Sequence, residues 1–355
     1  MPAATLTRAF DTAATAVAEQ LRPLQGAAIH VNGASGFLAS NLVALLNRAD
    51  DLHGLGLRLH ASARRPAGRV GLFRFLGLEP RVRWDLAPAE STTFPDELAG
   101  GVAVHTASYG APADYLREPM ATFQANTAGL IHTFAEAARV GAAHVVYLSS
   151  AEVYGQPRAD AIPTREDYDG GPDLTDIRSI YGESKRMAEV LGGSLSRQTG
   201  IAFTAVRPWN LYGPGQRLDD GRVPLALMRM ALERGAITLQ SDGTPRRSPC
   251  FAWDGLAQLA ACLDPAGAPG GPVNIGNPDD ELSMADLARR CAEVAGLPAD
   301  VVRTAPAGSS QGLMRCAPDI DRVRARARVP LPPLTSASDG LELLRDWVAW
   351  SLADA

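Results

Sequence analysis

Tyr181 and Lys185 stand four residues apart in RSIYGESKRMAEVL, residues 178–191. On a helix that spacing puts both side chains on one face, one turn apart. A free tyrosine titrates at about 10, so its phenol is a poor base at neutral pH. A neighbouring ammonium, together with the positive ring of an oxidised nicotinamide, favours the phenolate. Such a phenol can take a proton from a hydroxyl while hydride leaves the same carbon, and can return it in the reverse step. Lys185 is also the only lysine among the 34 lysines and arginines of the chain. Arginine's planar fork does not replace a compact ammonium of adjustable pKa, so a site needing that charge keeps its lysine. Ser150 closes the run AHVVYLSS (143–150), where its hydroxyl can reach the same reacting oxygen. Glu152 follows it in SSAEVYG.

A second group of residues reads as a dinucleotide site. NGASGFLA places Gly33, Gly36 and Ala39 in a G-x-x-G-x-x-A pattern between an apolar run and a helical pattern. The first glycine permits a tight turn, the second lets backbone approach a pyrophosphate, and the alanine allows close helix–sheet packing; the helix N-terminus faces the phosphates. Ser35, Phe37 and Leu38 belong to the same turn. An NAD site usually has a carboxylate after the second strand, on the ribose hydroxyls. Here that position reads HASARRP, with Arg64 and Arg65 and no acid. Guanidinium forks suit a 2′-phosphate, which favours NADP(H), with NAD(H) as the alternative. Asp85 and Leu86, after the third apolar run, fall where an adenine would lie.

The elements that must position these groups alternate. Strand patterns at 27–37, 57–65, 81–86, 101–108, 143–150 and 202–208 are separated by helical patterns, among them one continuous helix from Pro119 to Gly141. Alternation of that kind predicts βαβ units and a parallel sheet, and near-continuous apolar strands predict one buried on both faces. The expected fold is α/β, a Rossmann-type doubly wound sheet with a smaller C-terminal substrate lobe. Residues 1–26 read as an N-terminal helical extension, 27–208 as the dinucleotide-binding domain, and 209–355 mainly as the substrate lobe, with part of 245–276 returning to the sheet. A net charge of −5 gives no basic patch for nucleic acid. No 18-residue apolar run suggests a membrane helix. The four cysteines are scattered without CxxC spacing, which suggests reduced thiols and a cytoplasmic protein rather than a zinc site, and no metal is expected.

In this order, NGASGFLA, HTAS, SSAEVYG, YGESK, RPWNLYGPG, DDGRV, GTPRR and RCAPDIDR resemble the extended short-chain dehydrogenase/reductase family, over roughly residues 27–350. These are nucleotide-sugar epimerases, dehydratases, decarboxylases and 4-ketoreductases. The resemblance implies Ser150, Tyr181 and Lys185 as the catalytic trio, with Glu152 beside them. It puts Thr106, Ala107, Ser108, Asn126 and Pro208 near the cofactor. It puts Ser108, Tyr109, Asn210, Arg222, Arg247 and Arg315 on the nucleotide-sugar side, Arg247 and Arg315 on the diphosphate. It also implies a homodimer paired through a four-helix interface.

All of these chemistries share hydride exchange at C4 of a nucleotide-linked sugar. HTASYGAPADYLREP and DDGRV look most like the uronate-decarboxylase branch. Ala151 stands where a 4,6-dehydratase has its acid, which argues against dehydration. The absent carboxylate after the second strand, with GASGF and ASARRP, resembles NADPH-dependent 4-ketosugar reductases. The favoured expectation is therefore a 4-ketoreductase or epimerase using NADP(H), with a nucleotide-uronate decarboxylase as the alternative. A cofactor-binding protein without catalysis is the contrasting class; retention of both Tyr181 and Lys185 speaks against it. Glu152 has four roles open to it: acid/base at C5, partner of a carboxylate site, hydrogen bonder to a sugar hydroxyl, or structural residue.

Overall fold

The computed structural model describes residues 3–64, 71–78, 81–267, 271–310 and 314–354. Its centre is a seven-stranded parallel sheet. Six of the strands are β1 (Ala28–Asn32), β2 (Arg58–Ser62), β3 (Arg83–Asp85), β4 (Val102–His105), β5 (His144–Leu148) and β6 (Ala202–Pro208). The strand Val273–Ile275 adds to the edge beyond β6, and the order across the sheet is 273–275, β6, β5, β4, β1, β2, β3. Every residue of β1, β4 and β5 is buried, as expected of strands with helices on both faces. Chain direction away from β1 reverses between β1 and β4, which opens a crevice above their C-terminal ends, the usual ligand site of such sheets.

Seven helices precede or flank the strands up to β6: α1 (Ala3–Leu21), α2 (Phe37–His53), α3 (Gly71–Leu76), α4 (Pro112–Arg117), α5 (Pro119–Asn126), α6 (Ala128–Val140) and α7 (Ser179–Thr199). The expected single helix over 119–141 is bent. Thr127 sits at φ −103° and ψ −66° between α5 and α6, and its hydroxyl bonds back to Phe123 O at 2.7 Å, a contact that bends helices. α1 packs against α2 and the helix Ala252–Ala260 through Phe10, whose ring meets Trp253 edge-on at 4.9 Å. Arg48 of α2 grips Asp11 of α1 with two hydrogen bonds, at 2.7 and 2.9 Å.

Beyond β6 the chain builds short two- and three-stranded sheets and small helices over one end of the main sheet. The helix Asp321–Arg326 buries Arg326 against Ala261 and Thr204. All four cysteines are buried and unpaired. Among the described residues no helix is long and apolar enough to cross a membrane.

Candidate active site

The β1–α2 turn forms one wall of the crevice. Gly33 has φ +69°, and a Cβ there would lie 2.6 Å from Ala107 Cα, so the turn can press against the loop after β4 only without a side chain. Gly36 is the N-cap of α2 and offers no capping side chain. The first-turn N–H groups therefore point, uncapped, toward the crevice. Ala39 is buried beneath, while Ser35 is exposed and Phe37 and Leu38 are half-buried in the first turn. The loop after β4 is pinned by Asn32, fully buried at the end of β1. Its Oδ1 accepts from Thr106 N at 3.0 Å, its carbonyl accepts from the Thr106 hydroxyl, and its Nδ2 donates to Thr133 at 3.0 Å. Sequence reasoning missed Asn32. Its signal was a polar residue at the buried end of an otherwise apolar strand.

Further along the crevice, Ser108 Oγ and Asn126 Oδ1 are buried and have no partner, while Asn126 Nδ2 donates to Ser184 at 2.8 Å. Buried polar atoms are normally paired. Two orphans beside a glycine turn and an uncapped helix N-terminus fit a dinucleotide with ribose hydroxyls and a carboxamide to place.

Tyr181 and Lys185 face the same crevice from α7. Gly182 makes this possible, since a Cβ there would sit 2.7 Å from Glu152 O, so the helix can lie directly on the turn 150–154. Lys185 is 2 % exposed. Its Nζ donates to Leu148 O at 2.6 Å and lies 4.7 Å from the Tyr147 ring centre and 5.7 Å from that of Tyr181. Burial brings its pKa down to about 7, with Glu189 pulling the other way. Ser150 lies near enough to the Tyr181 hydroxyl to favour its ionised form, and its Oγ accepts from Glu152 N at 3.1 Å.

The expected acidification of the phenol by its ammonium neighbour is not what the protein alone provides. Burial pushes Tyr181 up to about 12, and the Ser150 hydrogen bond and Arg222 only partly offset it. Desolvation outweighs the nearby charges, so the positive ring of an oxidised nicotinamide has to supply the rest.

Two residues on the sugar side, Tyr115 and Arg178, were not foreseen. Tyr115 of α4 stacks on Tyr181 with ring centres 5.1 Å apart and planes at 14°. Burial raises its pKa, and the nearby Arg178 guanidinium partly offsets that. Arg178, three residues before Tyr181, was visible in RSIY but unread. Glu152 is solvent-accessible, yet protein crowds its carboxyl enough for desolvation to raise its pKa against the pull of Arg178 and Arg247. Arg222 faces Tyr181 and Tyr115 while its Nε and Nη2 hold Asp220 at 2.9 and 2.5 Å. Three arginines, Arg178, Arg222 and Arg247, thus act through their charges on the Tyr181–Glu152 corner.

The model of the NAD-dependent epimerase/dehydratase family matches residues 29–276. This chain belongs to that family. It is 33 % identical to UDP-glucuronic acid decarboxylase 5 of Arabidopsis thaliana over 271 residues, 75 % of this chain and 74 % of that one. Its match to decarboxylase 6 of the same plant is 37 % over 190 residues, so there the chain spans about half the relative's length, 54 %. The fold is shared with a solved UDP-glucuronic acid 4-epimerase from Bacillus cereus at a TM-score of 0.72 and 21 % identity, covering 91 % of this chain and 99 % of that one.

As a member of this family the chain departs from sequence expectation at the second strand and in the small sheet. Arg64 donates to Tyr109 OH at 2.6 Å and lies 4.9 Å above its ring. Tyr109 therefore turns toward the β2 side of the crevice rather than to the sugar end. Arg65 lies outside the described residues. Asp85 accepts from Thr92 at 3.0 Å, and Leu86 is 61 % exposed. Pro208 ends β6 beside Ile275. Asn210 has φ +47° and donates to Cys316 Sγ at 3.1 Å.

Arg315 is not on the cleft. Strand 315–316 pairs in parallel with strand 246–247, Arg315 beside Arg246 and Cys316 beside Arg247. Side chains alternate along a strand, so Arg246 and Arg315 share the outer face, where both bind Glu281, each Nε to Oε1, at 2.9 and 2.8 Å. Cys316 and Arg247 share the inner face, close enough to Glu152 for their charges to interact.

Proposed function

We propose that this protein is a nucleotide-uronate decarboxylase working through a 4-keto intermediate. The observation that carries the reading is that Arg178 and Arg247 lie near enough for their charges to act on Glu152, and Arg222 on Tyr181. The diphosphate of a nucleotide-linked neutral hexose would engage only part of that charge. A substrate with both a diphosphate and a C6 carboxylate would engage all of it, and guanidinium forks match both groups. The names of the relatives, UDP-glucuronic acid decarboxylases, support a UDP-linked uronate over the 4-ketoreductase or epimerase favoured by sequence alone.

In this reading Ser150 holds the C4 oxygen and Tyr181 takes its proton, with Lys185 supporting the phenolate. A bound nicotinamide dinucleotide supplies the hydride acceptor and later the hydride donor. The resulting ketone lies β to the C6 carboxylate, so the C5–C6 bond breaks to CO2 and its electron pair enters the C4 carbonyl. Glu152, whose raised pKa suits a carboxyl that can hold a proton, protonates C5. Tyr181 returns its proton to O4 as C4 is reduced again, and the cofactor ends as it began.

Incubation with UDP-glucuronate, read by mass, tests this. Loss of CO2 without net change in cofactor supports it. An unchanged mass with an altered C4 configuration, or a gain of two hydrogens at the expense of NADPH, overturns it. A second reading, an NADP(H)-dependent 4-ketoreductase, is favoured by Arg64 and by the missing acid at the end of β2. The same assay with added NADPH and a 4-keto nucleotide sugar separates the two.

We also propose a homodimer. Met120 and Phe123 of α5, Ile131 of α6, and Met187 and Val190 of α7 are exposed on three adjoining helices. A second copy of the same face would cover them. Sedimentation equilibrium should read two chains for the native protein and one for Val190→Asp; a monomeric native protein would contradict it. Four buried thiols suit a reducing, cytoplasmic setting.

A further inference from the structure

Glu189 lies on α7 one turn beyond Lys185. Its carboxylate accepts from Ser149 Oγ at 2.5 Å, from Arg207 Nε at 2.9 Å and from Arg207 Nη2 at 2.6 Å. The Arg207 and Glu189 side chains are 11 % and 13 % exposed. Arg207 also donates to Tyr154 OH at 2.7 Å and sits over that ring at 4.7 Å. Tyr154 passes the chain on to Asn274 at 2.7 Å. Glu189 therefore ties together the three elements that carry the chemistry. Ser149 precedes Ser150 at the end of β5, Lys185 shares its helix, and Arg207 precedes Pro208 at the end of β6.

A buried arginine–glutamate pair is weak evidence of stability, because apolar replacements often serve as well. The surroundings of Lys185 suggest a different reason for it. The titratable groups facing that ammonium are His105 from β4, Tyr147 from β5, and Tyr181 and Glu189 from α7. His105 is held neutral by burial, with a pKa of about 3, and burial raises both tyrosines. Glu189 brings the one carboxylate among these described neighbours.

We propose that Glu189 is a positioning residue of the proton-transfer centre, keeping Lys185 charged and holding Ser150 in line with Tyr181. The proposal rests on the reading of Tyr181 and Lys185 as the pair that moves the C4 hydroxyl proton. Burial pulls the Lys185 pKa down to about 7 even with the carboxylate present, and without it only the Leu148 carbonyl and the two tyrosine rings favour the ammonium. An uncharged amine would give a phenolate no support. Loss of the Ser149 contact would also free the backbone that presents Ser150.

The sole lysine makes the test direct. Protein grown on lysine labelled with 13C at Cε gives one lysine signal, whose titration reports Lys185. In Glu189→Gln the midpoint should fall by about one pH unit or more, the size of shift that a neighbouring opposite charge produces, and the pH of maximal turnover should move down with it. Glu189→Gln strands the Arg207 charge, so the double variant Glu189→Gln/Arg207→Gln is measured alongside. It should regain thermal stability while its lysine midpoint stays below the native value. An unchanged midpoint in either folded variant would overturn the proposal and leave Glu189 a structural anchor. If native protein turns over no nucleotide sugar, the functional reading fails, yet the lysine titration still decides the coupling.

Discussion

The two walls of the cleft hold their polar groups in opposite ways. On the cofactor side they are left open: Ser108 Oγ and Asn126 Oδ1 have no partner, α2 begins uncapped at Gly36, and Lys185 spends its one bond on a backbone carbonyl. On the sugar side Arg222, which faces Tyr181, already holds Asp220 through Nε and Nη2. An open wall gains hydrogen bonds when a ligand arrives, so it favours retention. A pre-paired wall keeps its guanidinium groups oriented in the empty state and lowers the cost of ordering them. The difference suits a reaction in which the cofactor stays and the substrate comes and goes.

Changes on the open wall should cost most. Tyr181→Phe removes the proton carrier and should lower kcat about 10²–10⁴-fold, while cofactor affinity, read by nicotinamide fluorescence quenching, stays within about twofold; equal turnover in the variant would remove Tyr181 from the mechanism. On the paired wall, Arg178→Gln should raise KM for a nucleotide uronate about ten- to a hundredfold, the loss of one charge-assisted contact. KM for the matching neutral hexose should hardly move. Equal effects on both substrates would break the assignment of Arg178 to a carboxylate.

These predictions rest on positions that were unequally legible. The glycine turn and the Tyr181–Lys185 pair follow from local chain geometry, so short motifs announced them. Arg315 failed for an equally local reason: one residue of strand register decides the face, and the motif did not reveal which of Arg315 and Cys316 points inward. Asn32, Tyr115 and Arg178 act through contacts between distant segments, and no spacing in the chain displays those. The carboxylate of Glu189 was one helical turn from Lys185 in plain view. Its significance appeared only once Ser149 and Arg207 closed around it.

Smaller effects sharpen the contrast. Arg64→Ala should weaken NADP(H) about tenfold relative to NAD(H) if the fork leaves Tyr109 for a 2′-phosphate; an unchanged ratio in equilibrium titrations would mean the arginine serves the Tyr109 contact only. The sheet itself adds a pH signature. Burial depresses His30 and His105 to about 3 and His144 to about 4. Below an unfolded value of about 6.5 the unfolded chain binds protons that the fold refuses, so stability should fall as pH drops from there toward the folded values. Each histidine adds at most about 1.4 kcal/mol per pH unit to that slope. His144→Gln should flatten it in urea titrations at pH 4.5–6.5, whereas an identical slope would show that histidine does not carry the effect.

The most direct test mixes nucleotide uronate with purified protein carrying its cofactor and follows nicotinamide absorbance in a stopped flow. The account predicts a reduced-cofactor signal that rises, then decays to its starting level as CO2 is released, and that is absent in Tyr181→Phe. Stoichiometric, lasting consumption of added NADPH, or CO2 release with no transient reduction, would contradict it.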